Sequence, residues 1–303
     1  MKFITAETLN SDSIKIFISE SDLPNTPKGV IHIYHGLAEY FGRYSHTTKY
    51  LNSLGYHVVG IDHRGHGHWI ESGAVPGFFA EKDGWNLVVD DMETSFKKMQ
   101  TIYKDIPHII LAHSMGTWLT LALLQRDISP AKVILSASSK LSVAKLMLQK
   151  LIIKIIKFFK GPKSQSHFSD SLTTQQFNSQ FQPNRTTHDW LSSNDESVDE
   201  YINNPLCGFI PTNQLYEDLA NGVIECFSHK KMLSIDKNLS ILLIAGTQDP
   251  VGESGKGVEA LHEFLGKYNK SVKLVLLPEL RHEILNEIKK EQALSKISEF
   301  LNS

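Results

Sequence analysis

Cysteine is scarce in this chain: two residues, Cys207 and Cys226, in 303. That excludes a disulfide framework and fits a reducing compartment. Long apolar runs are missing as well. No stretch of 18 uncharged apolar residues occurs, so no helix is expected to span a membrane. The first seven residues lack the apolar stretch of a signal peptide, and the expected location is cytoplasmic. An excess of either charge is also absent. The 31 Lys and Arg stand against 33 Asp and Glu, a net charge of −2. Nothing in that balance favours nucleic acid as a partner. No internal repeat or low-complexity tract is visible. What remains is an ordinary globular composition, 41% hydrophobic and 21% charged. The length suits one large domain, or one domain carrying an insertion.

Strand and helix signals alternate through the first half. Residues 14–18, 30–34, 57–61, 109–113 and 132–135 read as strands. Residues 45–54 and 83–104 read as helices. On the second of these, Trp85, Val88, Val89, Met92, Phe96 and Met99 share one face. The alternation resumes late, with strands at 240–245 and 272–277 and helices at 257–265 and 283–301. Repeated βα units predict a parallel sheet with helices on both faces. Between these halves the pattern breaks into helices and polar loops. The expected organisation is a core in two parts, 1–137 and 238–303, with a mainly helical cap inserted at 138–237.

The apolar run 109–112 leads through His113 into Ser114-Met115-Gly116, and apolar helix positions follow at once. A serine there sits on a sharp strand-to-helix turn, its hydroxyl held over the end of a sheet. Small residues are needed on either side of such a turn. Gly116 meets that need, and Ala112 stands where glycine is usual. The same serine would also serve as a plain helix N-cap, worth about 1 kcal/mol.

A serine hydroxyl is a weak nucleophile near neutral pH. It requires a base within hydrogen-bond reach and a third group to orient that base. On α/β sheets such groups lie at the carboxyl ends of strands. The strand 241–245 runs into a loop carrying Asp249. The strand 272–277 runs into a loop carrying His282. The order Ser, Asp, His is that of the nucleophile-elbow hydrolases. His262, the competing histidine, falls in mid-helix. The oxyanion donors expected from the same geometry are the backbone N–H groups of Met115 and Leu37, with Gly36 allowing the tight turn between them. Gly36 and His113 are further candidates for substrate contact.

These segments together carry a resemblance. The stretch His35-Gly36-Leu37-Ala38-Glu39-Tyr40-Phe41-Gly42-Arg43-Tyr44 resembles the signature of the monoacylglycerol lipase and lysophospholipase branch of the α/β-hydrolases, also called serine aminopeptidase-like. Asp62-His63-Arg64-Gly65-His66-Gly67 is similar to that branch's D-x-R-G-H-G segment. The loops at Gly246–Val251 and Arg281–Glu283 are similar to its acid and base loops. The resemblance runs from about residue 20 to 301 and implies an eight-stranded, mostly parallel core with an inserted cap. It also implies a serine hydrolase of carboxylic esters, with monoacylglycerol or lysophospholipid-like substrates and no cofactor. Tyr40 stands where the branch often has His. A small-peptide or amide hydrolase on the same triad is an alternative, as is a ligand receptor with little turnover.

His63, His66 and His68 suggest a metal site, but the glycines between them make a loop, and no acidic partner lies at ligand spacing. Asp62 and Arg64 are expected to tie that loop down. In the insertion, residues 141–160 form a basic amphipathic pattern. Lys150, Lys154, Lys157 and Lys160 fall on one side. Met147, Leu148, Leu151, Ile152, Ile155, Ile156, Phe158 and Phe159 fall on the other, while Leu146 and Ile153 lie among the lysines. Two readings are open: a peripheral membrane contact, or a helix that buries its apolar side and holds its lysines in water. Further on, Trp190, Leu206, Phe209 and Ile210 are candidates for an acyl pocket or for the cap's own small core. Cys207 has no histidine placed to activate it.

Overall fold

The computed structural model describes the chain except for residues 9–10 and 24–25. Eight strands form one sheet: β1 (Lys2–Glu7), β2 (Ser13–Ser19), β3 (Gly29–Tyr34), β4 (Tyr56–Gly60), β5 (His108–His113), β6 (Lys132–Ser136), β7 (Ser240–Gly246) and β8 (Val272–Leu277). Their spatial order is β1-β2-β4-β3-β5-β6-β7-β8. The first two ladders, β1 with β2 and β2 with β4, are antiparallel. All the others are parallel. Every residue of β3 and β5 is buried, which is why these strands read as unbroken apolar runs. The edge strand β1 was not legible in the same way, because four of its six residues are exposed and none is buried.

The helices that frame the site are α1 (Ser45–Ser53), α2 (Gly84–Ile102), α3 (Met115–Leu123), α4 (Val143–Lys160), α5 (Asp195–Asn203), α6 (Asn213–Cys226), α7 (Lys256–Gly266) and α8 (Lys290–Asn302). Two cores lie on opposite faces of the sheet. One gathers Val88, Met92 and Phe96 of α2 with Leu119 of α3, Val223 of α6 and Leu261 of α7. The other gathers Leu51 of α1 with Leu294, Ile297 and Phe300 of α8. Each such side chain contributes about 1.5–3 kcal/mol when fully buried. Residues 137–239 lie between the sheet neighbours β6 and β7 and add no strand among the described residues. In this segment α4 packs on α6, and α6 packs on α2 and α3. Among the described residues no helix is long and apolar enough to cross a membrane.

One expected helix begins late. The pattern at 283–301 predicts a helix throughout, but α8 starts only at Lys290. Residues 283–289 are irregular because their carboxylates are engaged elsewhere. Glu287, 1% exposed, accepts the N–H groups of Arg281 and Ser193. Glu283 grips Arg43. These buried charge-assisted bonds outweigh a solvated helical turn.

The parallel register brings the working loops together. Tyr34 of β3 lies opposite Ala112 of β5, and Gly246 of β7 lies opposite Leu277 of β8. The loops carrying Gly36, Ser114, Asp249 and His282 therefore leave the sheet at one edge.

Candidate active site

Ser114 occupies the turn between β5 and α3 with φ 50° and ψ −121°. A residue with a Cβ in that region carries about 1–3 kcal/mol of strain. The turn is held by the Ser114 N–H, which donates to the Ser136 carbonyl at 2.9 Å. It is tight on its far side: a Cβ at Gly116 would stand 2.4 Å from the Tyr34 carbonyl oxygen. Ala112 is fully buried within β5 and its methyl group belongs to the core. Ser114 precedes α3 without capping it, since its side chain makes no hydrogen bond to the helix N-terminus.

The hydroxyl is turned toward His282 instead. Ser114 Oγ lies 3.0 Å from His282 Nε2, and His282 Nδ1 lies 2.9 Å from Asp249 Oδ1. Asp249 is completely buried and its Oδ1 also accepts the Val251 N–H at 2.9 Å. An acceptor at that position selects the tautomer with Nδ1–H donating to Asp249, which leaves Nε2 free to take a proton from the serine. Burial disfavours the charged imidazole. The Asp249 charge and hydrogen bond outweigh it, aided by Glu283 and Glu39, and His282 is raised above its ordinary value. His113, beside His282 at 4.9 Å between ring centres, is pushed well down by burial and stays neutral.

Leu37 and Met115, whose amides are the expected oxyanion donors, border the same space as Ser114. Among the described residues neither donates to a protein acceptor. Gly36 is fixed by both of its backbone groups. Its N–H donates to Glu39 Oε1 at 2.6 Å, and its carbonyl faces His35 Nδ1 at 2.8 Å. His35 Nε2 in turn accepts the His63 N–H at 3.0 Å.

Above these groups lies a cavity of about 590 Å³. Gly36, His113, Trp190 and Phe209 border it; Leu206 and Ile210 do not. Leu206 is drawn into a turn by Asn204, whose Oδ1 accepts its N–H. Ile210 lies between Phe209 and Pro211, which both reach the cavity. From α4, Lys145 and Gln149 border the cavity together with two apolar residues, Leu146 and Ile153. Leu146 and Ile153 are the two apolar positions that break the lysine side of the helical wheel, which was the available signal.

The reading of α4 as a helix with its apolar side on the core is overturned. Leu146 and Ile153 are its buried residues. Met147, Leu148, Leu151, Ile155, Phe158 and Phe159 are exposed, Phe158 at 83%. Lys157 turns inward, where a buried carboxylate waits, while Lys154 and Lys160 stay exposed. Glu217 of α6 is 7% exposed and pairs with Lys157 and, at 3.8 Å, with Lys154. Lys157 also donates to Gln214 at 2.9 Å. A buried charge without such a partner would be strongly destabilising.

The remaining candidates are engaged elsewhere. Asp62 accepts the N–H groups of Phe41 and His68, both at 2.9 Å, and faces His68 Nδ1 at 3.2 Å. Arg64 binds Asp91 and Asp12. His63 and His66 each face a backbone carbonyl, and burial lowers both, His63 to about 3 and His66 to about 4. Burial pushes the Cys207 thiol up to about 12, so it carries no thiolate near neutral pH. His262 Nε2 faces the Val272 carbonyl at 3.2 Å.

Comparison with known proteins identifies the family and the fold. A family model described as serine aminopeptidase, S33, matches residues 25–289. The monoglyceride lipase of Rattus norvegicus is 26% identical over 313 residues, covering 92% of this chain and 87% of its own. A monoacylglycerol lipase of Mycolicibacterium smegmatis is 36% identical over 94 residues, 31% of each chain. The crystal structure of a thermostable carboxyl esterase from Bacillus coagulans matches with a TM-score of 0.89 at 26% identity, over 99% of this chain and 97% of that one. The chain thus belongs to the serine aminopeptidase S33 family, within the monoacylglycerol lipase and lysophospholipase branch of the α/β-hydrolases, as a serine ester hydrolase.

Proposed function

We propose that this enzyme cleaves esters of medium or long acyl chains, of the monoacylglycerol or lysophospholipid kind, through Ser114, His282 and Asp249. The observation that carries this reading is the chain of hydrogen bonds Ser114–His282–Asp249 opening into the cavity beneath α4. Ser114 Oγ attacks the ester carbonyl while His282 Nε2 takes its proton. The carbonyl oxygen becomes an oxyanion held by the Leu37 and Met115 amides. Each such donor is worth about 3 kcal/mol of transition-state stabilisation. His282 then gives its proton to the leaving alcohol. Water, deprotonated by His282, hydrolyses the acyl-enzyme and restores Ser114. Asp249 orients the imidazole and stabilises its charged form. These steps draw on no cofactor.

The apolar residues Leu146, Ile153, Phe177 and Phe209 around the cavity support an acyl chain as its occupant. An aminopeptidase substrate brings an ammonium group that needs a free carboxylate. Glu39 and Glu283 at the cavity are already paired with Arg43. Asp170 and Glu253 also border it and make no ion pair among the described residues, so the choice against the peptide alternative rests on the apolar lining. The exposed apolar side of α4 supports a peripheral contact with lipid, from which such substrates would be drawn.

A panel of monoacylglycerols, lysophospholipids, short p-nitrophenyl esters and aminoacyl amides tests the reading. The expected order places medium- and long-chain esters highest in kcat/KM. Faster cleavage of aminoacyl amides, or no steady turnover at all, would overturn it. Vesicle sedimentation tests the lipid contact: Phe158→Asp with Phe159→Asp is expected to reduce binding. Equal binding of both proteins, or none by either, would remove that part.

A further inference from the structure

Ala38, in the loop after β3, holds φ 55°. A strained loop keeps its shape only where its surroundings over-determine it. Here the determining group is the Glu39 carboxylate, 3% exposed. Its Oε1 accepts the Gly36 N–H at 2.6 Å and the Tyr44 hydroxyl at 2.8 Å. Its Oε2 lies 3.6 Å from Arg43 Nη1. The same guanidinium grips Glu283 with both terminal nitrogens, Nη2 to Oε2 at 2.8 Å. Glu283 follows His282 directly, and its N–H donates to the Leu191 carbonyl at 2.7 Å. Arg43 also stacks on Tyr201 of α5 at 4.8 Å. The loop is tied to the inserted segment a second time, where the Gly208 N–H donates to the Ala38 carbonyl at 3.0 Å.

One guanidinium thus joins the loop that presents the Leu37 amide to the loop that presents His282. We propose that Glu39, held by Arg43 against Glu283, is a positioning residue for the Leu37 N–H, setting that amide relative to Ser114 and His282. The proposal rests on the ester-hydrolase reading. Donors in an oxyanion hole act because they are aimed before charge develops. A donor set out of place weakens transition-state binding and leaves ground-state binding nearly intact, so the effect falls on kcat. The planar fork of arginine suits a task with two carboxylates, which the single point charge of lysine does not match.

The test compares the wild type with Glu39→Ala, Glu39→Gln and Arg43→Lys, using p-nitrophenyl butyrate. Active sites are titrated with a fluorophosphonate so that kcat refers to folded enzyme only. Glu39→Ala is expected to lower kcat about 10- to 100-fold with KM within about threefold, short of the full loss of a donor. Glutamine keeps an acceptor for the Gly36 N–H and is expected to recover at least about tenfold of that loss. Arg43→Lys is expected to lower kcat about tenfold, and it carries the test with Glu39→Gln if the alanine variant does not fold. A Glu39→Ala enzyme with wild-type kcat per active site overturns the proposal. So does a loss confined to KM, or a glutamine variant no better than alanine. A wild type that neither takes the label nor cleaves the ester defeats the ester-hydrolase reading itself, a result distinct from all of these.

Discussion

The indole of Trp190 lies 5.0 Å from the imidazole of His282, ring centre to ring centre, at an interplanar angle of 36°. Trp190 belongs to the inserted segment and His282 to the loop after β8. His282, the proposed base, is therefore steadied partly by a residue of the segment between β6 and β7. Such a ring contact is worth about 0.5–1.5 kcal/mol. Trp190→Ala is expected to lower kcat/KM about 2- to 10-fold with little change in melting temperature. Trp190→Phe keeps a ring there and retains most activity. Steady-state kinetics and a thermal melt check both expectations.

Asp249→Asn replaces the acceptor that selects the His282 tautomer. The fold should survive, since asparagine has the same shape. The expected loss in kcat/KM is about 10³- to 10⁴-fold. A loss below tenfold would remove Asp249 from the role given to it.

The pH dependence follows from the same pair. The proposed mechanism requires neutral His282, because only the free Nε2 takes the serine proton. Asp249, Glu283 and Glu39 favour the imidazolium, and together they outweigh burial. A raised base stays protonated to higher pH, so activity is lost on acidification earlier than for an ordinary histidine. The acid limb of kcat/KM is expected to have its midpoint above about 6.5, the unperturbed histidine value. In Asp249→Asn the limb should move to lower pH. An acid limb below that value in the wild type would contradict the electrostatic account.

The two small residues of the elbow are not equivalent. A Cβ at Gly116 would also stand 2.6 Å from the His35 carbonyl oxygen, and backbone cannot yield there cheaply. Gly116→Ala is expected to cost about 1–3 kcal/mol and to lower kcat. Ala112→Gly relieves nothing, because the Ala112 methyl is already accommodated in the core. It is expected to cost about 0.5–1 kcal/mol through backbone entropy. Chemical denaturation of the two variants separates these outcomes.

Helix α4 offers an internal comparison. Ile153 is 3% exposed and Leu151 is 57% exposed. Ile153→Ala is expected to cost about 2–5 kcal/mol if the segment melts with the core. Leu151→Ser should stay within about 0.5 kcal/mol of the wild type. Equal costs would mean that the helix presents a different face inward.

Much of this architecture was legible in the sequence for a physical reason. Buried parallel strands are apolar throughout, so β3, β5, β6 and β7 stand out, and the loops after them could be searched for nucleophile, acid and base. The failures share another cause. The start of α8 is displaced because Glu283 and Glu287 bind Arg43 and Ser193, partners far away in the chain, while Glu287 also turns back to the Arg281 N–H. The inward face of α4 is set by Glu217, some sixty positions on, and no periodicity within α4 encodes that. Glu39 and Arg43 stood in a recognisable motif, but their bond to Glu283 is purely tertiary. Leu206 and Ile210 are candidates by hydrophobicity alone, which says nothing about direction in an irregular segment.

The central claim is that Ser114 is the nucleophile, activated by the imidazole 3.0 Å away. Mass spectrometry of the protein treated with a fluorophosphonate tests this most directly. The account predicts one adduct per chain, on the peptide containing Ser114, and none in Ser114→Ala. Undiminished labelling of Ser114→Ala, or an adduct on another residue of the wild type, would contradict it.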